Sequence, residues 1–519
     1  MKIKLLNLLL VFTIFSCTSK QDKKIVEEII EIEEISTYVN DSINFQENSV
    51  PKGPKPDATK LELYRLAWQQ FIALNWPVNT NISGNRAKPN TSSDFTFLKV
   101  TPALLPTLVW NTYASKAEVF NHQSDSLPLW SSLSKPIYQY INQPKPLNKG
   151  DKFDLFNNLD ENNEIGEAVV FGGAGKGNTS GGNQVLYEAK INEAEYSYLQ
   201  KYNLQNTITA KNWATETKKK LDSFGGTCLS EEAAAKEIIC FPCADENNEG
   251  AIEIKAAWRK LNKNDSLKRY YVQNVLVYKK VGDSIKYTNQ EYGLIGLHII
   301  RKTKNYPTFI FTTFNHVDNL DAGIYYNNSI ALEGHKPPYY QYYKKNSHKK
   351  SVPDTTFNPE HKYIQLGNIA VETQEEVHKI PFELQIFNTA VQNRIKTESN
   401  NKSVWQYYEL LGVQAVPIDI TNASTDESYY LANDVIETDY TLRRFTGAFG
   451  NPGILLNAQN INKKGKKVSM GGCMGCHGNA QAFGNDFSFL LGIKEINEPD
   501  TLGVPPDVLR KIKQFLKNQ

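Results

Sequence analysis

The chain has 519 residues, 40% of them hydrophobic and 22% charged, which is the balance of a folded protein with a sizeable core rather than of a disordered or fibrous one. Lys plus Arg total 58 against 56 for Asp plus Glu, and a net charge of +2 carries no electrostatic footprint for a nucleic-acid partner. Tyr (27) and Phe (24) are abundant, as suits packed β structure and aromatic-lined cavities.

The N-terminus, "MKIKLLNLLLVFTIFSCTSK", has Lys2 and Lys4 ahead of an apolar run from Leu5 to Phe15. That run is too short to cross a ~30 Å hydrocarbon core, which takes about 20 helical residues, and it reads as an export signal. Ile14, Phe15, Ser16 and Cys17 resemble a bacterial lipobox, in which the Cys is diacylated and becomes the mature N-terminus. Cys17 is the expected lipid site, with a plain cleaved signal and a chance Cys as the alternative. The expected place is the cell envelope, periplasm or outer membrane, with a lipid anchor as the membrane contact. Residues 18–58 are polar and charged and end in "VPKGPKPDATK", which predicts a flexible tether with a Pro-rich spacer, in which Glu27 to Ile35 is a candidate short helix serving as spacing.

A body is predicted over 59–440. "KLELYRLAWQQFIALNWP" places Leu63, Leu66, Ala67, Phe71 and Ile72 near one helical face and ends before Pro77. Residues 85–160, rich in Pro, Asn and Ser, read as long loops with short helices, "VWNTYASKAEVF" (109–120) foremost among them. Residues 183–191, 250–258, 269–281, 292–303 and 306–318 are β-branched and aromatic, separated by turn-rich segments, and predict an antiparallel sheet or sandwich. In "GLIGLHII" apolar residues fall on both strand faces, so that strand belongs in the middle of the sheet. From about 380, "FELQIFNTAVQNRIK" and "SVWQYYELLGVQ" carry helix-period patterns, and "PPDVLRKIKQFLK" predicts a terminal helix. The fold class expected is α+β: a β body with flanking helices and a C-terminal helical segment over 441–519.

That last segment carries the chemistry. "GGCMGCHGNAQAF" contains Cys473, Cys476 and His477 in C-x-x-C-H spacing, the pattern of covalent haem c attachment. Two residues between the thiols match the reach between the haem vinyl groups, and the adjacent His supplies an axial nitrogen to iron. A zinc half-site completed by Cys240 and Cys243 is the rival reading. Haem c is attached outside the cytoplasm, and the chain separately carries an export signal, so haem c is the expected cofactor. Three cysteines remain: Cys228, Cys240 and Cys243 allow one bridge and one leftover thiol, and their spacing does not choose the pair.

No Met and no His follows His477, although small electron-carrying cytochromes usually place a distal Met downstream. Met474 lies between the two Cys, and Met470 would need a sharp loop to reach the far face of a haem. The second axial ligand therefore comes from the body, or the position is open. The histidines are His122, His298, His316, His335, His348, His361 and His378. His316, where "FIFTTFNHVDN" leaves a strand, is the preferred distal ligand; His298, inside an apolar strand, is next, though a core histidine is its commoner role. A Lys or Tyr ligand and an open site are the other options. Two strong axial ligands favour outer-sphere electron transfer, whereas an open iron binds O₂, peroxide or another small molecule.

Several blocks are familiar together. "LAWQQFIALNWP", "AIEIKAAWRKL", "GLIGLHIIRKT", "FTTFNHVDN", "LANDVIETDY" and "CMGCHGNAQAFGNDFSFLLG" resemble bacterial exported proteins of the cytochrome c family, over most of residues 60–492. The resemblance implies haem attachment at Cys473, Cys476 and His477. It also draws attention to Glu253, Lys255, Trp258, Arg259, His316 and Asp318 as a possible neighbourhood, without assigning an activity. Other signals fall short. "FGGAGKGNTSGGN" has Val170 where a phosphate loop needs its first Gly and Gly177 where it needs Ser or Thr. "CFPC" lacks the helix start of a thioredoxin-like site. "KKNSHKK" has no aromatic interleaving for nucleic acid. The expected function is electron transfer through one covalent haem to a redox partner protein. A haem-dependent oxidase, peroxidase or oxygenase with an open distal site is the alternative, and a ligand-binding lipoprotein with a structural or sensory haem is the third reading.

Overall fold

The computed structural model describes residues 20–79, 86–120, 126–133, 145–146, 185–261, 266–281, 284–318, 324–326, 347–351, 370–374, 380–417, 431, 433, 436, 461–463, 466–468 and 472–492. Cys17, Met470, His122, His335, His361, His378, the Gly-rich stretch 171–183 and the expected terminal helix lie outside these residues.

The centre is an eight-stranded sheet, antiparallel at every pairing. Its strands are β1 (Ala114–Ser115), β2 (Lys145–Pro146), β3 (Val185–Ile191), β4 (Ile252–Lys260), β5 (Val272–Val281), β6 (Ser284–Thr303), β7 (Tyr306–His316) and β11 (Tyr408–Gln414). The order is β1-β3-β4-β6-β7-β11, with β2 and β5 also on β6. The sheet alternative therefore holds over the sandwich for the large β unit. As its two-sided apolar pattern predicts, β6 is central: β4 and β7 pair its two edges. Two small sheets are also described, one of β8 (Ile324–Tyr326), β9 (Ser347–Ser351) and β10 (Ala370–Gln374), the other of β12 (Ile461–Lys463) and β13 (Lys466–Val468).

Register decides what each face of the large sheet presents. Lys255 pairs His298, which pairs Thr313; Glu253 pairs Ile300, which pairs Phe311. Side chains alternate along a strand, so Glu253, Lys255, His298, Ile300 and Phe311 share one face, and Ile254, Leu297, Ile299 and Phe314 the other.

Helices cover both faces. On the Phe314 face lie α1 (Lys20–Ser42), α2 (Lys60–Leu74) and α8 (Phe382–Glu398). A capping box between Thr59 and Glu62 starts α2. Its Phe71 ring is 4.3 Å from Phe314, and Trp68 Nε1 donates to Asn388 Oδ1 at 3.1 Å. The opposite face carries α3 (Lys116–Phe120), α4 (Glu193–Tyr202), α5 (Thr207–Lys219), α6 (Leu221–Phe224), α7 (Ser230–Ala234) and α9 (Gly472–Ala482). There Tyr196, Leu199, Met474 and Phe487 close over Ile300 and Phe311 in one apolar cluster.

Three expectations change. The stretch read as a tether is helical over Lys20–Ser42 and docked from Ile35 onward: Ile35, Val39, Ile43 and Phe45 are buried in the main core, and Arg394 of α8 donates to the Val39 and Ile43 carbonyls at 3.1 and 2.8 Å. Apolar residues four apart made a face that the charged composition concealed. Residues 403–414 form a short 3₁₀ turn and then β11 rather than a helix, because the open edge of β7 supplies a ladder that a helix would forgo. Residues 109–120 divide into a 3₁₀ turn, β1 and α3. The cysteine pairing is settled as Cys228–Cys243, leaving Cys240 a buried thiol.

Candidate functional site

Cys473, Cys476 and His477 occupy the first turns of α9. Residues three and four apart fall on one helical face, so the C-x-x-C-H spacing aims both thiols and the imidazole the same way. The helix begins at Gly472 in the left-handed region, φ 64°. It ends in a Schellman motif: Gly484 N–H donates to Gln481 O at 2.8 Å, Asn485 N–H donates to Ala480 O at 3.0 Å, and Gly484 has φ 90°. That turn sends the chain back along α9 and brings Phe487 O to 2.7 Å from His477 Nδ1. A carbonyl only accepts, so Nδ1 carries the proton and Nε2 keeps its lone pair. An imidazole fixed this way is a ligand with its tautomer and ring orientation already set.

The three motif residues line a cleft of about 260 Å³, counting its open mouth, together with His298 and Ile300 of β6 and Phe311 and Thr312 of β7. The His477 ring is 4.8 Å from Phe311 and 5.0 Å from Phe489. Neither Cys473 nor Cys476 is in a disulfide, and the Cys473 Sγ donates to Leu431 O at 3.6 Å. Two thiols, a pre-oriented imidazole and apolar walls are the donor set that haem c requires, and in that respect the residues fit it. Much of that space is the open mouth and little of it is enclosed, so a macrocycle attached here would extend well past the cleft. The rival zinc half-site loses its second cysteine pair, because Cys243 is bonded to Cys228.

The distal candidates separate. His298 is 8% exposed and shares the cleft with the motif; burial, then the Lys255 charge, then His477, pushes its pKa well below the ordinary range and keeps the ring neutral. His316 is not brought to this cluster. It lies four residues beyond Thr312 on β7, about 13 Å along the strand. Its Nε2 donates to Arg269 O at 3.0 Å and its Nδ1 accepts from Asp318 N–H at 3.1 Å, so both nitrogens serve the backbone. It stacks on Tyr270 at 3.9 Å, and burial holds its pKa down to about 4. His348 lies in β9, opposite Thr373. Met474 is fully buried in the apolar cluster, its N–H donating to Gln414 Oε1 at 2.7 Å.

The block suggested by family resemblance also splits. Glu253 and Lys255 lie on the cleft face. Trp258 is buried, its Nε1 donating to Glu188 Oε2 at 3.2 Å, and Arg259 lies 5.9 Å from the Tyr270 ring. Asp318 pairs with Arg269 near His316.

Beside the cleft lies a buried charged cluster without a spacing signature in the sequence. Asp486 accepts from Phe241 N–H at 2.7 Å and pairs with Lys302 Nζ at 2.5 Å, both side chains almost fully buried. Burial works against the Lys302 ammonium, but Asp486 and Cys240 hold it charged, its pKa above the ordinary range. Burial raises the Glu253 carboxyl to about 7, with a Ser488 hydrogen bond opposing. Glu195 is fully buried, and neither oxygen has a hydrogen-bond partner among the described residues. Burial, then the Glu253 and Asp486 charges, pushes Glu195 well up, so it is held neutral.

No family model, no curated protein and no solved structure matches this chain.

Proposed function

We propose that the chain is a c-type cytochrome that carries one covalent haem and transfers electrons to a redox partner protein. The observation that carries this reading is the fixed tautomer of His477, whose Nδ1–H is bonded to Phe487 O while both motif thiols open on the same cleft. Cys473 and Cys476 would hold the group by thioethers, and His477 would supply an axial nitrogen through Nε2. When bound, the haem supplies one-electron chemistry. The chain's own residues orient and shield it: Phe487 O fixes the imidazole, and Ile300 and Phe311 exclude water from one wall. The resemblance to exported cytochrome c family proteins supports the same assignment.

The protein is exported and anchored in the cell envelope by lipid on Cys17.

Haem staining of a denaturing gel, after co-expression with haem c maturation factors, tests the cofactor. The wild type is expected to stain and a Cys473→Ala, Cys476→Ala double variant not to stain. An unstained wild type would sink the reading. Metabolic labelling with palmitate tests the anchor, with label expected on the wild type and lost in Cys17→Ala.

A further inference from the structure

We propose that His298 supplies the second axial nitrogen, opposite His477, so that the iron site is six-coordinate and closed. This rests on the haem c reading above and sharpens it, since a closed iron is an electron carrier and an open one is an enzyme or sensor site.

His298 is on the central strand β6, where ladders on both sides fix its backbone: its Cα pairs with Lys255 on β4 and Thr313 on β7. A ligand on such a strand is held more accurately than one on a loop. Its side chain belongs to the face that α9 covers. It lines the same cleft as Cys473, Cys476 and His477, and among the described residues lining that cleft it is the one imidazole besides His477.

The opposite wall is held just as firmly. On α9, Met474 N–H is tied to Gln414 of β11, and the following loop is tied to β6 through Asp486 and Lys302. The two histidines therefore sit on two elements, β6 and α9, that these contacts hold in the body, and both line the cleft.

The competing described ligands are otherwise engaged. His316 has given both nitrogens to the backbone. Met474 is on the same helix as His477 and is buried among apolar residues. Lys255, beside His298 on the sheet, carries its ammonium 5.0 Å from the Tyr187 ring.

Two imidazoles leave iron no vacant position, which favours outer-sphere electron transfer over binding of O₂ or peroxide. The test uses the full chain loaded with haem in the maturation strain, first stained for covalent haem and then examined by absorption and electron paramagnetic resonance spectra. The wild type is expected to be low-spin in both oxidation states, with a ferrous spectrum unchanged by carbon monoxide. His298→Ala is expected to stain equally, turn high-spin, bind carbon monoxide, and return to low-spin on addition of free imidazole. His298→Met is expected to stay low-spin with a raised midpoint potential, a change that a merely structural histidine would not produce. His316→Ala is expected to leave the wild-type spectra unchanged.

A stained wild type that is already high-spin and binds carbon monoxide would overturn this inference alone. A stained His298→Ala with wild-type spectra would do the same. If His298→Ala does not fold, the potential of His298→Met decides, and no shift overturns the inference. A wild type without covalent haem would overturn the inference and the haem reading together.

Discussion

Two carboxyls beside the cleft pull against their surroundings. Glu195 is fully buried without a hydrogen-bond partner among the described residues, and Glu253 has one buried oxygen in the same position. With Glu253 raised to about 7 in the fold from an ordinary value of 4.5, the native state binds more protons than the unfolded chain between those limits. Stability from this group is therefore highest below the unfolded value, falls as pH rises toward 7, and is level above. The drop is up to about 3 kcal/mol. Glu253→Gln should lose that component. Urea unfolding at pH 5 and pH 8 should show a smaller fall for the variant than for the wild type, and equal falls would contradict the assignment. Of the residues at the site, the motif was legible from spacing alone, because both thiols and His477 lie within two turns of a single helix. Glu195 and Asp486 were not legible, since nothing local distinguishes them from solvated carboxylates until α4, β4 and α9 meet.

At the scale of elements, α9 depends on two attachments. Gly484 ends the helix at φ 90°, where a Cβ would run into the backbone carbonyl of Ala214. Gly484→Ala should lower stability by at least ~1–3 kcal/mol through backbone strain and displace the loop that carries Phe487. A drop in melting temperature together with poorer haem incorporation is the expected reading; a wild-type melt would refute it. The second attachment is the ion pair between Asp486 and Lys302, which ties the loop to β6. Asp486→Asn or Lys302→Met alone leaves a buried charge uncompensated and should cost about 3–5 kcal/mol. The double variant should cost less than the sum of the two, and a double-mutant cycle by chemical denaturation measures the coupling. The Cys228–Cys243 bridge spans a sequence separation of 15, and its removal by Cys228→Ser should cost about 3 kcal/mol under oxidising conditions. Strand elements were read correctly where β-branched residues alternate between turns. In residues 403–414 the set Val404, Tyr407, Tyr408 and Leu411 keeps a helical period while Tyr408 and Leu410 alternate as in a strand, and only the free edge of β7 chose between them.

Among the described residues the body is a large sheet with helices on both faces, and the N-terminal helix is part of it from Ile35 onward. A chain beginning at residue 59 would lack Ile35, Val39, Ile43 and Phe45 from the main core. Leaving four such side chains' partners uncovered should cost several kcal/mol, at roughly 1.5–3 kcal/mol for each fully buried side chain. Thermal unfolding of that truncated chain should show a clear fall in melting temperature. An unchanged melt would restore the idea of a detachable spacer.

By itself the sequence determined what its short-range patterns encode: the C-x-x-C-H geometry on one helical face, the α+β character, and a central strand apolar on both sides. These follow from periods of 3.6 and 2 residues and from turn chemistry, which act over a few positions. Tertiary structure decided the rest. It brought His298 rather than His316 to the motif, chose Cys228 over Cys240 as the partner of Cys243, docked the supposed tether, and buried Glu195 and Asp486 together. Most of these are contacts between segments far apart in the chain, and even the Cys228–Cys243 bridge joins positions separated by 15 residues. Such contacts depend on strand register and on the way helices close over a face, which no local pattern records.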